Sequence, residues 1–305
     1  MNVLDSIGNT PLIQLSRIVP SGSGHIFVKL EMCNPTGSMK DRMARAVIEA
    51  AEHGNRLTPG GTVVEYTGGT TGISLAFVCA AKGYNIEIVF SDAFSPEKAQ
   101  IMKALGAHVT VVPSGGKGIT QSVIMQMIEQ ARSISQRPGH WWSDQLNNRD
   151  AVGAYHALGE EIWKQTKGRV DAFVQAVGTA HSIHGTMEGL SGHKQNIHVV
   201  AVEPEESAVL SGRAPGSHNI EGSGIGFVPP LWERDKVHEI MTVSTQEAEA
   251  MARRLAREEG IFTGTSSGAN VVAALRLAER LGPKATVTTL MVDSGQRYLS
   301  TGVFR

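Results

Sequence analysis

The sequence predicts an α/β protein, with parallel-rich twisted sheets flanked by helices on both faces. Three observations carry that prediction. Short β-branched apolar runs alternate with helical patterns along the chain. Those runs are nearly continuously apolar rather than alternating, as in strands buried on both faces. Glycine-rich turns join several of them to the next helical pattern.

The expected strands are Thr62–Tyr66, Glu87–Phe90, His108–Val112, Ala172–Val177, His198–Val202, Glu239–Val243 and Val287–Val292. Helical patterns lie near 39–53, 71–82, 96–105, 118–133, 152–166, 182–190, 246–259 and 268–281. The first puts Met39, Met43, Val47 and Ala50 on one face, which would dock on a sheet. Ser95-Pro96 reads as an N-cap followed by a first-turn proline, with Gly106 as the stop. Ser244 and Glu247 have capping-box spacing, and Gly260 closes that helix. No repeat, low-complexity tract or long linker interrupts the pattern. Residues 1–305 are therefore expected to form one catalytic unit. Within it, about 42–146 would form a smaller mobile subdomain against 1–41 plus 147–305.

Composition excludes several functions. The 305 residues carry 28 basic and 29 acidic side chains, a net charge of −1, so no strong field draws nucleic acid or an anionic membrane. The N-terminus has no basic region followed by an apolar core, and no apolar run approaches a membrane span. Cys33 and Cys79 sit in apolar stretches and read as buried thiols, with no Cys/His cluster for zinc. A reducing cytoplasm is the expected compartment.

The most informative run is Asn34-Pro35-Thr36-Gly37-Ser38-Met39-Lys40-Asp41-Arg42, just ahead of the first helix. A lysine held on a turn at a helix start can be partly desolvated, which lowers its pKa. A neutral amine can form a Schiff base with an aldehyde cofactor. The alternative is a solvated lysine on a surface helix.

Three glycine-rich turns follow strands or open helices. Thr67-Gly68-Gly69-Thr70-Thr71-Gly72 leaves unpaired N–H groups at a helix start, where a carboxylate or phosphate can sit. Gly178-Thr179-Ala180-His181-Ser182 has the same layout, with no Lys or Arg, so an anion there would rely on N–H groups, hydroxyls and the helix dipole. His181 and His184 lack a third metal ligand nearby and read as helix-surface or site-wall residues. Gly264-Thr265-Ser266-Ser267-Gly268 opens the last long helix, where serines commonly act as caps. Each turn also has an ordinary structural reading. GxxxxGK[ST], GxGxxG after a strand, HExxH and GxSxG elbows are absent, which disfavours a nucleotide-dependent dehydrogenase.

Together these features resemble the cysteine synthases (O-acetylserine sulfhydrylases), pyridoxal-phosphate enzymes of fold type II in the tryptophan-synthase-β superfamily. The resemblance covers nearly the whole chain. Ile7-Gly8-Asn9-Thr10-Pro11-Leu12 is similar to the family's opening, and the run from Asp293 to Thr301 to its C-terminal signature. The resemblance implies that Lys40 is the Schiff-base and catalytic lysine. It puts the substrate carboxylate at Thr67, Gly68, Gly69, Thr70 and Thr71, with Gln145 also contacting substrate. It puts the cofactor phosphate at Gly178, Thr179, Ala180, His181 and Ser182, and Ser266 opposite the pyridine nitrogen. Thr70 would also approach the cofactor.

Two departures stand out. The family usually has Ser and Asn where this chain has Gly68 and Thr70, and Gly-Thr-Gly-Gly-Thr where it has residues 178–182. The implied function is β-replacement on an O-activated L-serine, giving L-cysteine and acetate from O-acetylserine and sulfide through an aminoacrylate. The changed carboxylate turn keeps related chemistries open: O-phosphoserine, another nucleophile, cysteine desulfhydration or a cystathionine β-synthase-like reaction. A homodimer is also implied by the resemblance alone.

Overall fold

A computed structural model describes residues 2–116 and 118–305. The strands are β1 Leu12–Gln14, β2 His25–Lys29, β3 Thr62–Tyr66, β4 Asn85–Ser91, β5 His108–Val112, β6 His140–Trp142, β7 Ala172–Ala176, β8 His198–Pro204, β9 Glu239–Val243 and β10 Thr286–Leu290. The α-helices are α1 Lys40–His53, α2 Thr70–Lys82, α3 Pro96–Ala104, α4 Gln121–Ser135, α5 Asp150–Gly153, α6 His156–Gln165, α7 His181–Ser191, α8 Thr245–Arg254 and α9 Thr265–Leu281.

One sheet has the order β1-β2-β10-β7-β8-β9 and the other β5-β4-β3-β6. Among the described residues, β1–β2 is the only antiparallel pair of strands; the other strand pairs are parallel. The α/β expectation with parallel-rich sheets therefore holds. Its basis is visible in β7 and β10, which lie inside the larger sheet and are buried at every position. Both faces are covered, so neither strand alternates. β9, at an edge, is half-exposed along most of its length.

Every expected strand forms, but β1, β2 and β6 were not anticipated. β1 and β6 have three residues each, too few for a periodic signal. The helix expected at 152–166 is two helices, α5 and α6, broken at Ala154 and Tyr155. The one expected at 246–259 is α8 followed by a π-helical turn at Leu255–Glu259. Its Ser244–Glu247 capping box forms, and Gly260 ends it in the left-handed region at φ 72°. Ser95 precedes α3 as expected but makes no capping bond, and its hydroxyl is buried without a partner among the described residues.

The docking face of α1 comprises Met43, Ala44, Val47, Ile48 and Ala51, following the buried Met39. Ala50 is a correction: it lies at the margin of that stripe and is half-buried. Cys33 is another. Glu31 occupies the interior side of its short turn, and Cys33 faces solvent, whereas Cys79 is buried. Among the described residues, no helix is long and apolar enough to cross a membrane.

Candidate active site

The turn before α1 is held from both sides. Gly37 N–H donates to the Asn34 carbonyl at 2.7 Å, and Gly37 adopts φ 80°, a conformation that costs glycine little. Met39 N–H donates to the Val292 carbonyl at 3.0 Å, and Ser294 N–H donates to the Gly37 carbonyl at 3.0 Å. Asp41 accepts from the Thr36 N–H at 2.8 Å and from the Ser74 hydroxyl at 2.6 Å. Arg42 Nε donates to Glu31 at 2.8 Å, and another of its nitrogens to Glu161 at 2.7 Å. The acid and base that follow Lys40 are thus structural anchors. They fix the first turn of α1 without engaging the Lys40 side chain.

Lys40 lines a cleft enclosing about 710 Å³, its open mouth included. Burial lowers its amine to a pKa of about 8, while the nearby Asp293 carboxylate acts in the opposite direction. Thr67, Gly68, Thr70, Thr71, Gln145, Gly178 and Thr179 line the same cleft. Four of the five residues expected at the carboxylate turn, Gln145 and two of those expected at the phosphate are therefore brought together around Lys40, while Gly69 is not in the lining.

The turn after β3 is shaped by close approaches. A Cβ on Gly68 would come within 2.7 Å of the Phe94 ring. One on Gly69 would meet the Lys98 side chain at 2.4 Å, and Gly69 also has φ 119°. Thr71 donates its hydroxyl to Gln145 Oε1 at 2.9 Å, and Gln145 Nε2 donates to the Tyr66 carbonyl at 2.6 Å. Thr70 turns its hydroxyl away toward Asp293. Backbone N–H groups at the start of α2 are what the turn offers an anion.

The second turn opens α7. Gly178 packs against the Gly222 carbonyl so closely that a Cβ would lie 2.5 Å from it. Ala180 occupies the left-handed region at φ 70°. Thr179 bonds His181 Nδ1 at 3.0 Å, and Gln175 Nε2 donates to Ser182 Oγ. Ala180, His181 and Ser182 are buried at the helix start rather than lining the cleft. The expectation that His181 and His184 are helix-surface or site-wall residues is corrected, since both are buried and neither lines the cleft. His181 Nδ1 is bonded to Thr179, and His184 Nε2 accepts from the Glu233 N–H at 3.1 Å with its ring against Trp232. Among the described residues, no group of three or more His, Cys, Asp or Glu could hold a metal ion.

Ser266, the second residue of α9, is buried and makes no hydrogen bond through its hydroxyl among the described residues. It lies beside Gly222, where a Cβ would be 4.0 Å from Ser266 Oγ. An unbonded hydroxyl, a low-pKa amine and a helix start rich in hydroxyls fit a cofactor with an aldehyde, a ring nitrogen and a phosphate.

Several site residues escaped the sequence reading. Asp293, at the end of the segment after β10, is the anion nearest in effect to Lys40. Lys98 is buried on the cleft wall, paired with Glu221 at 2.5 Å, its ammonium 4.5 Å from the Tyr298 ring centroid. Glu65 is buried in β3 and accepts from the Ser143 hydroxyl at 2.7 Å and the Gln145 N–H at 2.9 Å, which positions Gln145. Burial pushes its carboxyl up to about 7 against those donors. A charge inside the apolar run TVVEY was the signal available for it.

The profile of the family described as "Pyridoxal-phosphate dependent enzyme" matches residues 3–293. A cysteine synthase of Staphylococcus aureus is 40% identical over 306 aligned residues, covering 99% of this chain and 96% of the relative. The crystal structure of a cysteine synthase (OASS) from Entamoeba histolytica superimposes with a TM-score of 0.92 at 38% identity, covering 99% of this chain and 90% of that one. That of an O-acetylserine dependent cystathionine beta-synthase from Helicobacter pylori gives 0.93 at 34% identity, covering 100% and 98%. The match over nearly the full length agrees with the geometry around Lys40: the chain belongs to the pyridoxal-phosphate dependent enzyme family, in its cysteine synthase branch.

Proposed function

We propose that the protein converts O-acetyl-L-serine and sulfide to L-cysteine and acetate, with Lys40 as the base. The observation that carries this reading is the Lys40 amine, lowered to about 8 by burial, facing the Thr67–Thr71 turn and Gln145 across one cleft. The 40% identical cysteine synthase supports the choice of reaction.

Lys40 would hold pyridoxal phosphate between substrate turnovers, with Thr179, Ser182 and the α7 N-terminus around its phosphate and Ser266 at its ring nitrogen. When bound, the cofactor supplies a ring that stabilises negative charge at the substrate Cα. The turn at Thr67–Thr71 and Gln145 would hold the substrate carboxylate and fix its Cα toward Lys40. Lys40 Nζ, neutral for part of the time near pH 8, takes the Cα proton. The Cβ–O bond breaks and acetate leaves with the electron pair. Hydrosulfide forms the new Cβ–S bond, and Lys40 Nζ returns a proton to Cα. Ser266 offers a hydroxyl rather than a carboxylate, so it does not enforce a proton on the ring nitrogen. That favours prompt loss of the β-substituent over side reactions of a long-lived carbanion.

A second reading is a β-replacement with another nucleophile. Thr70 favours it, because its hydroxyl is committed to Asp293 and leaves the carboxylate turn short of a side-chain donor. The 34% identical Helicobacter pylori protein, described as an O-acetylserine dependent cystathionine beta-synthase, supports keeping it. The reading extends to a homodimer in the cytoplasm and to a smaller mobile subdomain at about 42–146.

The test is product analysis of the holoenzyme with O-acetylserine and a panel of nucleophiles. Cysteine as the fastest product supports the first reading; a thioether product formed faster than cysteine supports the second. Borohydride reduction followed by peptide mapping should place the phosphopyridoxyl group on Lys40, and a label on another lysine overturns its role.

A further inference from the structure

His181 is fully buried at the start of α7, two positions after Thr179. Its ring makes one hydrogen bond, between Nδ1 and Thr179 Oγ1 at 3.0 Å. Nε2 is buried with no partner among the described residues. Thr179 itself lines the cleft.

We propose that His181 is a positioning residue for Thr179: Nδ1–H donates to Thr179 Oγ1 and turns the threonine's own proton outward, toward an anionic group in the cleft. The inference rests on the reading that the phosphate of pyridoxal phosphate sits at this turn.

The chemistry of the pair supports that direction. A neutral imidazole carries one N–H, on either nitrogen. If Nε2 held it, Nδ1 would accept the threonine proton, and Thr179 would present only lone pairs to the cleft. A phosphate dianion has no proton to share and repels lone pairs. A hydroxyl facing it must donate, and so must accept from behind. Only the Nδ1–H form does this.

Without the cofactor the ring is neutral near neutral pH. Burial pushes it down to about 3, and the nearby Lys40 ammonium acts the same way. The Gln145 backbone carbonyl near the ring favours its protonation, but no ring N–H bond to it has hydrogen-bond geometry. Among the protein groups facing the ring, Lys40, His184, Thr179 and the Gln145 carbonyl, none is an anion.

The experiment titrates apoprotein with pyridoxal phosphate and reads Kd. His181→Gly is expected to raise Kd about tenfold, the loss of one donor bond aligned on an anion. In a Thr179→Val background it should change Kd less than twofold. His181→Asn, whose amide N–H reaches a similar position, should recover most of the affinity and serves as a folded control. Independently, ¹⁵N NMR of the unmutated holoenzyme should show the His181 proton on Nδ1. A proton on Nε2, or His181→Gly losses that add fully to those of Thr179→Val, would overturn the inference. A Thr179→Val protein that binds the cofactor as tightly as its parent overturns the placement of the phosphate itself, and the inference with it.

Discussion

Thr70 donates its hydroxyl to Asp293 Oδ2 at 3.3 Å, joining the carboxylate turn to a segment 223 residues away in sequence. The same carboxylate oxygen accepts from the Tyr298 hydroxyl at 2.8 Å. The other, Oδ1, is buried and unbonded among the described residues. A buried carboxylate with one free oxygen beside Lys40 is an electrostatic control on the amine.

Asp293→Asn should therefore lower the Lys40 pKa below about 8, because removing the anion leaves burial unopposed. The neutral amine then persists to lower pH. In apoprotein, the pH dependence of reductive methylation at Lys40 should move to lower pH. An unchanged profile would show that Asp293 does not act on the amine.

Ala180 occupies the left-handed region at φ 70°, where a Cβ crowds the backbone. Ala180→Gly relieves that crowding and loses part of the gain to unfolded-chain entropy. A stabilisation of roughly 0.5–1 kcal/mol is expected. Urea unfolding should show a higher midpoint with an unchanged slope.

Glu161 lies between Arg42 at 2.7 Å and Lys29 at 2.6 Å, and those partners hold its carboxyl down to about 2, from an ordinary 4.5. Its folded pKa is below its unfolded one. The stability it contributes is thus complete above about pH 4.5 and disappears as pH falls toward 2. Glu161→Gln should destabilise by about 3 kcal/mol near neutrality. That difference from the parent should shrink steadily below pH 4.5, read as unfolding midpoints across a pH series. A difference that stays constant with pH would assign the loss to packing.

How far the sequence could be read depended on whether a signal was local. Lys40 was legible because Gly37, Ser38 and the following helix start lie within one short run. The Ser244–Glu247 box was legible for the same reason. Asp293 was recognisable only as part of a C-terminal signature, because its importance comes from Thr70 and Lys40, far away in the chain. His181 read as a helix-surface or site-wall residue because helix periodicity alone does not report which neighbours cover it. Cys33 looked buried because its neighbours are apolar, whereas Glu31 takes the interior place through Arg42. Buried ion pairs of this kind invert the usual reading of charged and apolar positions.

Gly68 is where that limit has the clearest consequence for function. The resemblance implies a serine at this position in the family, a small change in sequence terms. The fold argues otherwise. A Cβ on Gly68 meets three Phe94 ring atoms at 2.7–3.1 Å, and Phe94 is itself buried beside Phe90, ring centroids 5.8 Å apart. Gly68→Ser should therefore push the ring off its packing and cost about 1–3 kcal/mol. Phe94→Ala removes the obstacle while leaving a cavity, and is itself destabilising. The double variant should be less destabilised than the two single losses combined, since the serine can enter the vacated space. Denaturation of the four proteins measures that coupling. Strict additivity would mean that Gly68 is set by its backbone alone, and that Phe94 does not decide what the carboxylate turn can carry.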